Sequence, residues 1–263
     1  GKCRTYDNGA NGMVLGEGVG ALVLKRLDEA VKDGDHIYGI IKGSSVNQAG
    51  KTNGLTAPSM LSQKELICET YSKASVNPET ISYIEVHGTG TKLGDSIEFK
   101  ALTEAFRMFT DKSEYCVIGS HKPNVGHTAV ASGIAGIFKI LMAMKNRKIP
   151  PMINFEQVNE HINLKGSPFI INNEVYRWES REGEPLRAAI SSFGSNGTNC
   201  HMIIEEPPSD SMDTVQQPFK TLPNPYYIFP LSAKTNAALD RKIADMAVWL
   251  QQEGHNYTAD EIS

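Results

Sequence analysis

Ile81-Ser82-Tyr83-Ile84-Glu85-Val86 leads directly into His87-Gly88-Thr89-Gly90-Thr91, and the reading of this stretch decides the fold. The opening run is short and mostly apolar, as a buried strand is. The glycines beside His87 let the backbone turn tightly and bring main-chain N–H groups close to a ligand. Beyond them Ile97, Ala101, Leu102, Ala105 and Phe109 fall on one helical face. A strand end that passes through a turn into a helix is where α/β proteins place reactive groups.

Similar apolar runs at Ala21–Leu24, Ile37–Ile41, Cys116–Ile118 and Met202–Ile204 predict further buried strands. Ile67, Tyr71 and Ala74 share a face of an earlier helix with Ser59 as its N-cap. Gly133–Met144 is apolar nearly all round, which predicts a central helix. This alternation of strands and helices predicts an α/β fold with buried sheets. After Glu206 the texture changes: Pro207-Pro208-Ser209-Asp210-Ser211 opens a polar stretch, and Pro218, Pro223 and Pro225 follow, as in a linker or extended strap. Ile228–Leu231 then predicts a strand and Ala237–Gln252 an amphipathic helix, with Leu239, Ile243, Met246 and Leu250 on one side. A boundary is expected near residue 206, dividing the chain into 1–206 and 207–263.

At 263 residues, 40% apolar and 21% charged, the chain has the composition of an ordinary globular protein with room for a core. The net charge of −4 and the lack of any Lys/Arg run argue against nucleic acid as a partner. The longest apolar run, Ile134–Met144, is interrupted by Gly136 and Lys139 and reads as a buried helix, so no membrane partner is expected. The chain opens on Gly1-Lys2-Cys3-Arg4 without Met and without an apolar leader, which reads as a cut edge. Cys3, Cys68, Cys116 and Cys200 lie far apart, a pattern that suits a reducing cytoplasm better than a disulfide framework or zinc site.

A second glycine-flanked histidine lies in Lys122-Pro123-Asn124-Val125-Gly126-His127, between a predicted strand and the most apolar helix. Two imidazoles converging at strand ends could donate hydrogen bonds to a developing oxyanion or enolate, with Lys122 as a fixed positive charge nearby. Either histidine alone is more simply a satisfied structural residue; it is the pair in matching surroundings that points to chemistry. Neither has metal-ligand spacing apart from Asp95, which follows His87 by eight residues, so no metal is expected. His36, His161 and His255 sit in polar, loop-like surroundings, and His121 is ambiguous. Ser191–His201 is glycine-rich and reads either as a loop exposing N–H donors or as a tight turn. Gly16-Glu17-Gly18-Val19-Gly20 precedes a predicted strand instead of following one, which counts against a dinucleotide loop, and Asp7–Gly12 lacks the closing acid of a calcium loop.

Together these motifs resemble those of β-ketoacyl synthases. Val86–Glu98 (VHGTGTKLGDSIE) looks like their first histidine motif, Lys122–Gly136 (KPNVGHTAVASGIAG) like their lysine and second-histidine motif, and Ser192–His201 (SFGSNGTNCH) like their C-terminal glycine loop. Cys3–Leu27 resembles the stretch before their second half-domain, and Phe229–Lys234 with the helix after it resembles the linker that follows ketosynthases in modular polyketide synthases. Asn199-Cys200-His201 and the absence of Phe at position 195 lean towards systems whose acyltransferase acts in trans.

The resemblance implies a thiolase-like fold: the C-terminal half plus the end of the N-terminal half, with a small α/β linker subdomain appended. It implies a decarboxylative Claisen condensation in polyketide biosynthesis, in which a cysteine holds the acyl chain and two histidines act on a malonyl unit. His87 and His127 match the histidines and Lys122 the lysine that orders the second. Asp95, Glu98 and Asn124 match supporting positions, and Phe193, Gly194, Ser195, Gly197 and Asn199 the oxyanion and substrate loop. Ser195 falls where the family often has a gating Phe, and its N–H would be an oxyanion donor. Ser96 replaces a common Pro, and Pro123 a common Ser or Thr.

The nucleophile would lie upstream of Gly1, since neither Cys3 nor Cys200 stands in its motif, so the chain alone is expected not to condense. Substrates would ride on the phosphopantetheine of an acyl carrier protein, with no directly bound cofactor. The remaining N-terminal half and a homodimeric complete domain are the other expected partners. Alternatives are a ketosynthase that passes chains without condensing them, and a scaffold or docking piece.

Overall fold

The computed structural model describes residues 1–52, 54, 57–180, 183–208 and 229–257. Within residues 1–214 these form one compact unit and within 215–263 a second.

In the first unit a six-stranded sheet runs in the order β1 (Ile40–Gln48), β8 (Thr198–Glu205), β7 (Arg187–Phe193), β2 (Ile81–Glu85), β3 (Cys116–Gly119), β5 (Phe169–Ile171). β2 pairs in parallel with β3 and β7, and β3 with β5; β1, β8 and β7 pair antiparallel. A small two-stranded sheet joins β4 (Lys148–Ile149) to β6 (Tyr176–Arg177). The helices are α1 (Leu27–Asp33), α2 (Met60–Ala74), α3 (Lys92–Phe106), α4 (Lys122–Val125) and α5 (Ser132–Asn146).

Strand alternation divides the core between the two faces of the sheet. Cys116 and Ile118 point to one side with Ile84, Phe99, Leu102 and Phe106, and Val117 to the other with Tyr83, Ile140, Met144 and Trp178. Helices α2 and α3 thus cover one face and α5 the other. Ser59 caps α2 by accepting from the Ser62 N–H at 3.2 Å. Because β2, β3 and β7 run parallel, their C-terminal ends lie side by side, with Glu85 in register with Gly119 and Ile190. The loops that follow β2 and β3 therefore start from neighbouring points.

The expected strand at Ala21–Leu24 is absent: no ladder pairs with it among the described residues, and Val23 is 99% exposed. The strand expected over Ile37–Ile41 begins at Ile40 and continues through polar residues to Gln48, because β8 offers a partner along that whole length. β8 likewise starts earlier than Met202, at Thr198. Helix α3 ends at Phe106, and its inner face carries Asp95, Glu98, Phe99, Leu102 and Phe106; Ile97 is only half-buried and Phe109 lies beyond the end, 40% exposed. Helix α5 is not buried all round. Gly136, Ile140, Ala143 and Met144 face the sheet, while Phe138 and Met142 are exposed. Ala129–Asn146 is long and apolar enough to cross a membrane by length and composition. One face of it packs on the sheet, and 28% of the span is buried.

In the second unit α6 (Asn236–Gln252) forms as expected, with Thr235 as N-cap, but Ile243 and Leu250 of its apolar side are exposed. Phe229–Leu231 forms no strand; Ile228 and the proline-rich stretch 209–227 lie outside the described residues.

Phe169 stacks edge-on with Phe99 and Phe106 at centroid distances of 5.9 and 5.0 Å and is fully buried. Phe169→Ala is expected to cost about 3–5 kcal/mol of stability, read as a lower urea midpoint.

Candidate active site

The chain leaves β2 at Glu85, and the Val86 N–H donates to the Gly119 carbonyl, keeping the two strand ends together for one more residue. At His87 it turns. The Glu98 carboxylate, on the inner face of α3, accepts from the N–H groups of His87 (2.7 Å) and Gly88 (2.8 Å). Gly88 has φ +40°, and a Cβ there would collide with the Thr5 methyl; Thr5 itself donates its hydroxyl to the Gly88 carbonyl at 2.7 Å. Asp95 accepts from the Tyr6 N–H at 2.8 Å and the Gly90 N–H at 3.2 Å. Two carboxylates one helical turn apart thus hold the His87 loop by its backbone, the role open to a buried anion that finds N–H donors.

His127 is strapped from the other side. Its N–H donates to the Val14 carbonyl (2.7 Å), and the Gly16 N–H donates to the His127 carbonyl (3.1 Å). The glycine-rich stretch 16–20, which resembles a nucleotide loop in sequence but does not follow a strand and open a helix, serves in part to hold this histidine. The two imidazoles meet edge to face, with ring centroids 5.6 Å apart and planes at 86°.

Each ring is oriented by a main-chain donor. The Phe193 N–H donates to His87 Nδ1 (3.3 Å) and the Ala129 N–H to His127 Nδ1 (3.2 Å). A nitrogen that accepts cannot carry a proton, so in each neutral ring the hydrogen sits on Nε2. Burial and then the Lys122 ammonium hold His87 well below the ordinary imidazole range, and the same two causes in the same order lower His127. The pair is neutral at pH 7 and presents two Nε2–H donors.

Lys122 is 2% exposed. Burial lowers its pKa, and the carboxylates of Glu85 and Glu98 pull the other way. Burial pushes Asp95 up to about 7 against the N–H groups of Tyr6, Gly90 and Thr91, and raises Glu98 against those of Gly88 and His87. A cavity of about 310 Å³ beside Lys122 is lined by Cys3, Asn124, Gly126 and Asn154. Burial raises the thiols of Cys3 and Cys200, which keeps both protonated and poorly nucleophilic.

The structure thus gathers His87, His127, Lys122, Glu98, Asp95 and Phe193. Asn124 is exposed at the cavity rim. Gly194 to Gly197 form the turn of the β7–β8 hairpin, in which the Gly194 N–H is spent on the Thr198 carbonyl. Asn199 turns away, donating to Asn47 and Ser62, and so anchors the hairpin to β1 and α2. Pro123 occupies the first turn of α4, where proline is tolerated, and Ser96 bonds back to the Leu93 carbonyl within α3. Neither departure breaks its loop. Sequence reasoning missed Glu85 and left His121 undecided; both are buried, at 1% and 6% exposure. An acid inside an apolar strand run was the available signal for Glu85.

Lys122→Met removes the charge at nearly constant volume. The pKa values of His87 and His127 are expected to rise towards, without reaching, 6.5, because burial remains. Imidazole NMR titration of both residues checks this; unmoved midpoints would show that the ammonium does not act on the pair.

Three family profiles match in succession: the β-ketoacyl synthase N-terminal domain over residues 1–30, its C-terminal domain over 38–156, and the ketoacyl-synthetase C-terminal extension over 159–263. Polyketide synthase PksL of Bacillus subtilis is 50% identical over 240 residues, 91% of this chain and 5% of that protein. Polyketide synthase PksM of the same organism is 41% identical over 263 residues, 100% of this chain and 6% of that protein. The ketosynthase from module 6 of the bacillaene synthase of Bacillus subtilis superposes with a TM-score of 0.78 at 47% identity, over 97% of this chain and 42% of its own. The oxazolomycin ketosynthase domain OzmH KS7 of Streptomyces albus gives 0.77 at 33% identity, over 98% and 44%. The chain spans less than half the length of these ketosynthases and a small fraction of the curated synthases. Its mixed α/β sheet is that of the thiolase-like ketosynthase fold, and the chain belongs to the β-ketoacyl synthase family as the C-terminal portion of a polyketide-synthase ketosynthase domain.

Proposed function

We propose that this chain supplies the histidine pair of a decarboxylating condensing enzyme. A cysteine elsewhere in the complete domain holds the growing acyl chain as a thioester. A malonyl unit, carried on the phosphopantetheine of an acyl carrier protein, loses CO₂, and the electron pair of the broken C–C bond passes into the adjacent thioester carbonyl as an enolate. The Nε2–H groups of His87 and His127 hydrogen-bond the enolate oxygen, and the Lys122 ammonium adds a fixed positive field. The enolate carbon then attacks the acyl thioester and the cysteine thiolate leaves, so the step balances without an external oxidant or reductant. The observation that carries this is the occupation of both Nδ1 atoms by backbone N–H donors, which leaves each ring a donor towards substrate.

The Ser195 N–H is assigned to the oxyanion of the acyl thioester, and Phe193 sets His87 by its N–H and by its ring, 5.5 Å away. The complete domain is an acyltransferase of the ketosynthase type; the chain alone does not condense. We assign it to a cytoplasmic, homodimeric synthase served by an acyltransferase in trans, with residues 207–263 as linker subdomain and neither membrane nor nucleic acid as partner. The uncovered side of α6, with Ile243 and Leu250 exposed, favours a second role for that tail as an interaction module. Deleting residues 207–263 should then impair assembly while sparing malonyl decarboxylation.

In the ketosynthase that carries this chain, His87→Ala and His127→Ala are each expected to slow release of CO₂ from malonyl-carrier protein by about 10²–10³-fold, the usual effect of losing one oxyanion donor. Cysteine acylation should be affected less. Unchanged CO₂ release in both variants would refute the assignment. Because burial and the Lys122 ammonium lower both imidazoles, a fall in decarboxylation as pH drops through about 7 is expected to follow protonation of Asp95 and Glu98, both raised to about 7 by burial, and not of the histidines, which imidazole NMR over the same range checks. Ser195→Phe should narrow the range of acyl chains accepted, measured by competition between short and long acyl thioesters; an unchanged range would count against a gate at this position.

A further inference from the structure

Beneath the imidazole pair lies a second buried cluster that the mechanism above does not use. Glu85 is the last residue of β2, two before His87, and its carboxylate is 1% exposed. Its Oε1 accepts from the His121 N–H at 2.6 Å and faces His121 Nδ1 at 2.8 Å. Its Oε2 accepts from the Tyr83 hydroxyl at 2.6 Å and pairs with Lys139 of α5 at 3.1 Å. On the far side of the ring, His121 Nε2 lies 3.2 Å from the hydroxyl of Ser132, at the start of α5. A carboxylate only accepts, so Nδ1 carries the hydrogen.

These contacts join three segments. His121 immediately precedes Lys122, Glu85 closes the strand that delivers His87, and Ser132 and Lys139 belong to the helix that follows His127. The fit is close: a Cβ at Gly136 would lie 2.5 Å from Ile190 Cδ1, 3.1 Å from Glu85 Cγ and 3.6 Å from His121 Nδ1. The absence of a side chain at Gly136 lets α5 approach near enough for Lys139 and Ser132 to reach the cluster.

We propose that His121, clamped between Glu85 and Ser132, is a positioning residue that fixes the spacing of the His87 and His127 loops and the place of the Lys122 ammonium between them. The proposal rests on the pair's role in decarboxylation. Fastened to Glu85 by both its main-chain and ring nitrogens, His121 ties the β3–α4 corner to the end of β2. Without the ring the corner keeps only its main-chain ties to the end of β2, the His121 N–H to Glu85 and the Val86 N–H to the Gly119 carbonyl, and loses its link to Ser132, so that Lys122 and His127 can shift relative to His87.

Asn and Gln replacements separate this from a space-filling role, since the Asn amide nitrogen falls near the Nδ1 position and that of Gln does not. In the complete ketosynthase, His121→Asn should keep kcat for malonyl decarboxylation within a few-fold, and His121→Gln should lower it by about 10- to 100-fold with KM unchanged, as loss of an orienting partner does. Equal rates for the two variants, or a loss confined to KM, would overturn the proposal. In the unmutated protein, the His121 Nδ1 proton should give a slowly exchanging downfield imidazole resonance; rapid exchange would overturn it even if the Gln variant fails to fold. His87→Ala run beside them separates the two levels: if that variant decarboxylates normally, the role of the pair is wrong, whereas loss there with both His121 variants intact removes only the positioning role.

Discussion

A buried ammonium can stay in a protein interior only where anions and hydrogen-bond acceptors offset its lost hydration, and Lys122 sits under that constraint. The carboxylates of Glu85 and Glu98 provide the largest offsetting charges. Neither is a simple counter-ion. Glu98 also takes the N–H groups of His87 and Gly88, and Glu85 takes those of His121. The anions that make room for the cation are thus the groups that shape the loops on both sides of it. Removing either carboxylate would leave a buried positive charge and unsatisfied backbone donors together, which is why the end of β2, the inner face of α3 and the β3–α4 corner behave as one unit.

The same constraint explains which parts of the fold were legible in the residues. Ile81–Val86 and Cys116–Ile118 are central strands with apolar side chains on both faces, and they stand where the pattern put them. Ser59 and the Ile67–Tyr71 face of α2 follow ordinary capping and periodicity. On α3 the inner face is interrupted by Asp95 and Glu98, so an apolar count rotates the helix towards Ile97 and Phe109. Polar residues on a buried face are invisible to a pattern that equates burial with apolarity. Position 85 shows the same blindness within a strand.

The antiparallel side of the sheet was less legible for a different reason. β1 and the first half of β8 are built from Gly43, Ser44, Ser45, Asn47, Thr198, Asn199 and their neighbours, which pair through the main chain and not through apolar side chains. Asn199, Asn47 and Ser62 then join strand to helix by side-chain hydrogen bonds. Ala21–Leu24 shows the converse: an apolar, β-prone run does not make a strand unless another main chain lies alongside to accept its hydrogen bonds. At the site, His87 and His127 were readable from local dressing, because a glycine beside a polar residue reports a turn, and Lys122 from its place in the same motif as His127. The partners that orient them were not, since Phe193 and Ala129 act through N–H groups that every residue but proline possesses.

That last point bears on the chemistry. A histidine whose Nδ1 is open can serve as a base; one whose Nδ1 is filled by a main-chain donor, and whose pKa is held down by burial and a neighbouring cation, has only a proton to share. Two such rings set edge to face form a donor pair with no acceptor. Under the proposed function this is an advantage, because a malonyl unit becomes a carbanion by losing CO₂ and needs no base to remove a proton. The site must instead hold negative charge on oxygen while the C–C bond breaks. Neutral N–H donors beside a fixed ammonium do this without the risk that a charged imidazolium would quench the enolate by protonating carbon. The depressed histidine pKa values and the buried lysine are thus parts of one arrangement, in which burial first and the cation's charge second keep the donors neutral.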